Sequence, residues 1–392
     1  MSETVSKAVR LEVKIDGTSE ISRPDGEAPL VLRDGGGVQL VRVDKAIDAP
    51  DAFELRVNVL RDQTLMAIDE DLEGKSVEVA LGLGARPTRV FKGEICYIEP
   101  NFAAGGAESF LSIGGYDRSH RLTRGSQART WGDGVEASEK YSDVAGDVIA
   151  RSASQDSSKT SDGLSSDKLD ATSARFDYVP QLAQSDYEFL RSMGMDASRP
   201  LSADTSEDDS KVSFQKVRSS GSPVLTICRD KVEGDPAQLA TNCRLRLSTV
   251  QQYAKVVVRG WDPKQKKALV GVAEEADQRF DGTKGKERTG RAMYGGADKG
   301  RVYQVFDHPV TSQDEADAVA QAIFNRLAMD FVTGEVETKG FPGVNPGDLI
   351  DLKGFGNRFS GSYLVQGVVH EVSRYEGYRT TLRVARNAAP DP

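Results

Sequence analysis

The chain has little of what catalytic and cross-linked proteins commonly use. Its three cysteines, Cys96, Cys228 and Cys243, are scattered over 392 residues with no CxxC spacing. That excludes a disulfide framework and a cysteine-rich zinc site. Its three histidines, His120, His308 and His370, are equally dispersed, and at His370-Glu371 a zinc-protease-like start fails because Arg374 stands where the second histidine belongs. Two tryptophans, Trp131 and Trp261, offer little for an aromatic sugar-binding platform. No run approaches the roughly 18 apolar residues a membrane span needs. The start, Met1-Ser-Glu-Thr-Val-Ser-Lys7, has no apolar signal core. Cations are not in excess: 51 Lys and Arg stand against 60 Asp and Glu, a net charge of −9 that argues against nucleic-acid binding.

Nucleotide and hydrolase motifs are missing too. Gly285-Lys286 is followed by Glu287, and Phe280 occupies the position where a P-loop needs glycine. Gly354-Phe-Gly356 leads to Phe359 instead of the third glycine of a dinucleotide fingerprint, and there is no G-x-S-x-G elbow. The expectation is a protein that is not an enzyme, with no catalytic residue, no cofactor and no metal.

What is present is strand and turn chemistry. Glycine numbers 38 and proline 15. Val9, Leu11, Val13 and Ile15 alternate with charged residues, as do Phe53, Leu55, Val57 and Val59 with polar ones. Period two over such stretches predicts strands with one wet face. More strands are predicted at 77–81, 90–95 and 110–113, joined by the glycine turns Asp34–Gly37, Gly82–Gly84 and Ala104–Gly106, which suggests a small barrel or sandwich.

Beyond residue 120 the pattern changes. Tyr141, Val144, Ala145, Val148 and Ile149 form one helical face. The serine-rich stretch 152–170 is read as a surface loop, because it has almost no apolar side chains to bury. Ser185-Asp-Tyr-Glu188 is a capping box that opens a helix ending at Gly194. An acidic linker, 202–210, follows. Strands return at 224–228, 245–247 and 254–261, and a basic, glycine-rich loop covers 279–301. The longest amphipathic helix is predicted over 312–332, with Ser312 and Glu315 as a capping box and Gly334 as its stop. The tail is β again at 349–352, 363–369 and 381–384.

The most informative segment is Gly114-Gly-Tyr-Asp-Arg-Ser-His-Arg-Leu-Thr-Arg-Gly125. Read by itself, Asp117 is placed to cap a turn, and Tyr116 to pack over a barrel end. Further on comes Val179-Pro-Gln-Leu-Ala-Gln-Ser-Asp-Tyr-Glu-Phe-Leu190. This ordered pair, with Phe91–Pro100, Ser213–Arg218 and the tail segments at Asn345 and at 354–370, resembles the hub proteins of contractile injection machines. These are the contractile-phage baseplate hub, the late control protein D family and the VgrG hub of type VI secretion. The marker residues are Gly115, Tyr116, Asp117, Arg118, His120, Arg121 and Leu122, then Gln184, Ser185, Asp186, Glu188, Phe189 and Leu190.

The resemblance implies a mainly β, α+β chain with two tube-like β-barrel domains, an intervening α/β domain and one long amphipathic helix. The expected units are 1–120, 121–210 and 211–392. It implies a homotrimer that presents a pseudo-sixfold face to a hexameric inner tube and a threefold face to a spike, with baseplate wedge proteins around it. Many relatives continue into a spike domain, whereas this chain stops at Pro392, so the spike is expected to be a separate chain, to have been removed or to be lacking in this member. Assembly in the bacterial cytoplasm, without a membrane span or nucleic acid, is part of the same expectation. The rival reading is a non-catalytic, surface- or glycan-binding tail module.

Overall fold

A computed structural model describes residues 9–22, 37–58, 72–84, 86–104, 109–134, 139–155, 164–205, 210–230, 237–277, 280, 287–292 and 301–390. Residues 34–36 and 105–106 of two expected glycine turns, 156–163 of the serine-rich stretch, 206–209 of the acidic linker and most of the basic loop 279–301 lie outside the described residues.

The first seven strands are β1 (Val9–Ile15), β2 (Thr18–Ser22), β3 (Val38–Ala46), β4 (Ala49–Asn58), β5 (Ser76–Leu83), β6 (Thr88–Asn101) and β7 (Phe110–Tyr116). They pair antiparallel in the order β2-β1-β5-β6-β7-β4-β3. Alternate side chains such as Leu11, Val43, Leu55, Val79 and Leu111 point into one shared core. Each such burial is worth about 1.5–3 kcal/mol, which is why the period-two pattern fixes the faces.

The middle of the chain adds β8 (Gln127–Trp131), helix α1 (Tyr141–Gln155), β9 (Leu164–Leu169), β10 (Val179–Gln184), helix α2 (Asp186–Ala197), β11 (Leu201–Asp204) and β12 (Ser210–Phe214). The α1 stripe of Val144, Ala145, Val148 and Ile149 is buried as its spacing predicts. The serine-rich stretch departs from expectation. Its start ends α1, and its end is β9, parallel to β12, with Leu164 buried against Val212 and Phe214 in one core. Backbone pairing with β12 supplies order where side-chain burial is scarce. The acidic linker likewise flanks a strand pair, β11 with β12. Gly194 does not end α2. The helix runs to Ala197 and closes on a left-handed Ser198, while Gly194 lets the Arg199 carbonyl pack close.

The last part holds β13 (Leu225–Cys228), β14 (Gln238–Leu247), β15 (Lys255–Asp262), β16 (Lys267–Ala273), β17 (Glu287–Thr289), β18 (Val302–Val305), helix α3 (Gln313–Met329), β19 (Val332–Lys339), β20 (Leu349–Lys353), β21 (Gly361–Ser373), β22 (Gly377–Arg386) and β23 (Ala388–Pro390). Six of these close a barrel in the order β21-β20-β13-β14-β19-β22 and back to β21. Its pairings are antiparallel, apart from those of β13 with β14 and β20. Arg386 is fully buried there, stacked over the Tyr363 ring at 4.4 Å and donating to the Ser360 carbonyl at 3.0 Å. Strands β16-β15-β18 form a separate three-stranded sheet under α3. The α3 stripe is seated as expected, but the helix stops at Met329. Gly334 lies inside β19, opposite Leu245 and Val384.

One strand serves both β units. On one edge, residues 361–364 of β21 pair with β20, and residues 367–373 pair with β3. On the other edge β22 follows it from Leu364 to Ser373, with a register shift at Gln366. Such a bulge re-aims a strand, and Gln366 offers its carbonyl to the Ile47 N–H at 3.0 Å. Along one face of β21, Val368 enters the second core, Val372 enters the first, and His370 sits between them. The result is one row of thirteen strands, mainly β, with a closed six-stranded barrel at one end.

Candidate functional site: a buried polar joint

The first motif forms the end of β7 and a 3₁₀ turn, Arg118–Thr123. Gly115 is required by crowding: a Cβ there would collide with the Glu94 carbonyl of the neighbouring strand. Asp117 is the cap of the turn. Its carboxylate accepts from the Ser119 N–H at 2.6 Å and from the Asp51 N–H, and its own N–H donates to the Asp51 carbonyl at 2.9 Å. Arg118 and Leu122 are buried, with Leu122 pointing into the middle core. Tyr116 differs from expectation. It lies on the surface, its ring 6.0 Å from that of His120.

Glu94 gathers the rest of this motif. Arg121 donates to it from Nε at 3.1 Å and Nη2 at 2.5 Å, Arg124 from Nη2 at 3.0 Å, and His120 Nε2 lies 3.1 Å away. Burial pushes the Glu94 carboxyl up, but the bonds and charges of Arg121, His120 and Arg124 outweigh it and hold the group below the usual range. Sequence reading quoted Glu94 only as part of a segment. The signal for its role was the count of three cations in the following turn with a single acid, Asp117, already committed to capping.

Asp117 also touches a buried charge cluster. Asp51 lies 3.5 Å from the Lys45 ammonium, both almost fully buried, and accepts from the Thr205 hydroxyl at 3.4 Å. Lys45 donates to Asn345 Oδ1 at 2.8 Å. Burial pushes the Asp51 carboxyl up to about 8, against the pull of Lys45 and with the push of Asp117. Asp117 is itself raised by burial. His370, nearby between the two β cores, is pushed down to about 3 by burial and the Lys45 charge, and receives Tyr378 and Thr380 around Nδ1.

The marker residues of the second motif begin two residues before α2. Gln184 ends β10, and its carbonyl accepts from Gln181 Nε2 at 3.2 Å. Ser185 and Glu188 form the reciprocal capping box, with the Ser185 N–H donating to Glu188 at 3.0 Å and the Glu188 N–H to Ser185 Oγ at 3.2 Å. Asp186, in the first turn, where the helix dipole favours an anion, accepts from Gln181 at 2.8 Å and pairs with Arg129 at 3.4 Å. Phe189 stacks on Trp131 at 5.3 Å, and Leu190 is buried in the same core as Leu122. Helix α2 packs on the 3₁₀ turn. The fold therefore brings both motifs together.

Chemically this is a joint. Asp51, Asp117 and Lys45 are too buried for a substrate to reach, and every polar contact described above ties one part of the chain to another. A separate cleft of about 220 Å³ opens where the β3–β4 turn (Asp48), α2 (Gly194), α3 (Asn325, Met329) and β21 (Leu364) meet. None of the marker residues of the two motifs lines it. No group of three or more His, Cys, Asp or Glu fit to hold a metal ion occurs among the described residues. Among the same residues no helix is long and apolar enough to cross a membrane.

A family model described as the Alg8 N-terminal domain matches residues 67–374. The chain belongs to that family. The description names no activity, and no curated protein sequence matches the chain. In fold the chain is similar to the tail protein of Neisseria meningitidis MC58, with a TM-score of 0.63, 15% identity and 97% of each chain covered. It is also similar to the 43 kDa tail protein of prophage MuSo2 from Shewanella oneidensis, with a TM-score of 0.64, 13% identity and coverage of 97% and 99%. A third similar structure is the E. coli c3393 protein, described as a component of the type VI secretion system with structural similarity to the T4 tail proteins gp27 and gp5. Its TM-score is 0.52 at 11% identity, over 97% of this chain and 77% of that one. At such identities the likeness is one of fold.

Proposed function

We propose that the chain is a structural hub of a contractile phage tail or related injection machine, without catalytic activity. The observation that carries this reading is the end-to-end fold likeness to tail proteins, over 97% of the chain. In this reading 1–120 and 211–392 are the two tube-like barrels, 121–210 is the α/β part between them, and β21 is the strap that keeps the barrels in register. Three copies form a ring. Two barrels per copy give a pseudo-sixfold face for a hexameric inner tube, and the opposite face takes a spike protein, with wedge proteins outside. The thirteen marker residues are structural, and the buried Asp117–Asp51–Lys45 cluster fixes the angle between units.

The reading is tested by adding the purified chain to the inner tube of its own particle and imaging tube ends by electron microscopy. The expected result is density capping one end of each tube. Tubes whose ends stay bare at saturating protein would overturn it.

A further inference from the structure

The loop between β20 and β21, Gly354-Phe-Gly-Asn-Arg-Phe-Ser360, lies at one end of the closed six-stranded barrel, apart from the buried joint. Gly354 and Gly356 hold left-handed φ values of 82° and 78°, so the turn needs glycine at both. Phe355 and Phe359 pack down on the barrel core. The Ser360 N–H donates to the Gly356 carbonyl at 2.9 Å and the Phe355 N–H to Ser360 Oγ at 3.1 Å. The Tyr363 hydroxyl donates to the Phe359 carbonyl at 2.9 Å. Between the two anchored rings, Gly356, Asn357 and Arg358 are exposed.

Arg386 sets this loop from inside the barrel. From its fully buried site it donates to the Ser360 carbonyl at 3.0 Å and to the Arg358 carbonyl. A buried cation is costly, and an ordinary surface turn leaves its carbonyls to water. Here two of them are fixed by one planar guanidinium fork. The loop is therefore shaped before it meets anything, which lowers the ordering cost of a contact. Exposed loops on a rigid scaffold are where recognition residues concentrate.

The local charges indicate the partner. From Leu352 to Val369 the chain has no Asp or Glu. Lys353 has Asp351 within reach of its charge, two residues along β20. Arg229, whose N–H donates to the Lys353 carbonyl at 3.0 Å, pairs with Asp230 at 3.0 Å. Among the described residues the Arg358 guanidinium has no hydrogen bond or ion pair, so it is the charge left over. A guanidinium on a rigid mount suits a carboxylate, which it meets through two parallel hydrogen bonds. A single loop at one end of a closed barrel suits a partner that stacks on that end. We propose that loop 354–360, held in shape by Arg386, is a docking loop for the inner tube, and that Arg358 seats against a carboxylate of the tube protein. The proposal rests on the hub reading above and adds which end of the second barrel meets the tube.

The test titrates the inner tube of the chain's own particle with wild type, Arg358→Glu, Arg358→Lys and Arg386→Lys. Capped ends are counted by electron microscopy, beside melting and solution mass. Arg358→Glu is expected to need about tenfold more protein to cap half the ends, with melting and mass unchanged, and Arg358→Lys to fall between. In Arg386→Lys the amide hydrogens of 355–360 are expected to exchange about tenfold faster while those of β21 and β22 hold. Unchanged exchange there removes Arg386 from the account. Capping by Arg358→Glu at the wild-type concentration overturns the docking loop while the hub stands. So does a changed solution mass in that variant, which would place Arg358 between copies of this chain. If wild type caps no tube, the hub reading fails, and this contact with it.

Discussion

Asp117 and Asp51 hold each other by backbone and side chain at once: the Asp117 N–H donates to the Asp51 carbonyl at 2.9 Å, and the Asp117 carboxylate accepts the Asp51 N–H. The link ties the 3₁₀ turn to the start of β4, far away in sequence. Asp117→Ala removes the acceptor for two buried N–H groups and is expected to cost about 2–4 kcal/mol, since each orphaned buried donor costs about 1–3. Asp117→Asn keeps one acceptor oxygen and is expected to cost less. Urea unfolding of both variants checks the order; equal and negligible losses would contradict it.

The buried acid and the buried histidine give opposite pH responses. Asp51, raised to about 8, keeps a proton in the folded chain that an unfolded carboxyl releases near pH 4, so its contribution falls as pH rises from about 4 to 8. His370, lowered to about 3, stays neutral in the fold while the unfolded imidazole gains a proton below about 6.5, so its contribution falls as pH drops from 6.5 to 3. The two oppose each other at mildly acidic pH. Between about pH 6.5 and 8 the His370 contribution no longer changes, and Asp51 is expected to lower stability by up to about 1.4 kcal/mol per pH unit. Asp51→Asn is expected to flatten that decline. An identical slope in the variant would show that another group is responsible.

Glu94 gathers charge where Asp117 gathers backbone. Glu94→Gln leaves Arg121 and His120 without their buried anion and is expected to cost about 3 kcal/mol, in line with breaking a buried pair from one side. Arg124 is mostly exposed, so Arg124→Ala is expected to cost under about 1 kcal/mol. The folded Glu94 carboxyl lies below its ordinary range, so this contribution is present above the unfolded value and is lost as pH falls. Denaturation at pH 7 and pH 4 checks both statements: the cost of Glu94→Gln should shrink at the lower pH.

Gly115→Ala is expected to destabilise by more than about 2 kcal/mol, because β6 and β7 must separate to clear the Glu94 carbonyl. The urea midpoint measures it. A change within about 0.5 kcal/mol would mean that the strands give way freely there.

Much of this was legible in the sequence where the signal is local. The capping box at Ser185 and Glu188 needs only four residues in order, and the α1 stripe needs only helical spacing; the start of α2 and the buried face of α1 stand as predicted. The alternation at Val9–Ile15 and Phe53–Val57 fixed the faces of β1 and β4. Non-local pairing was not legible. β9 was hidden in serines because its order comes from β12, some forty residues on, and not from its own side chains. Gly194 and Gly334 looked like helix stops, but their absent side chains serve close packing. Nothing local in 361–373 says that one edge would change partner from β20 to β3 half-way along. At the joint the motifs marked Asp117 and Asp186, but Asp51 and Lys45 carry no pattern of their own. Only the fold brings them to Asp117.

The central claim, a ring-forming structural hub, is tested most directly by electron microscopy of the isolated wild-type chain, whose single-copy mass is 42.5 kDa. Class averages are expected to show a ring of three copies with a central opening and six similar lobes on one face. Averages showing single chains, or a twofold dimer, at concentrations where the protein is fully folded would contradict it.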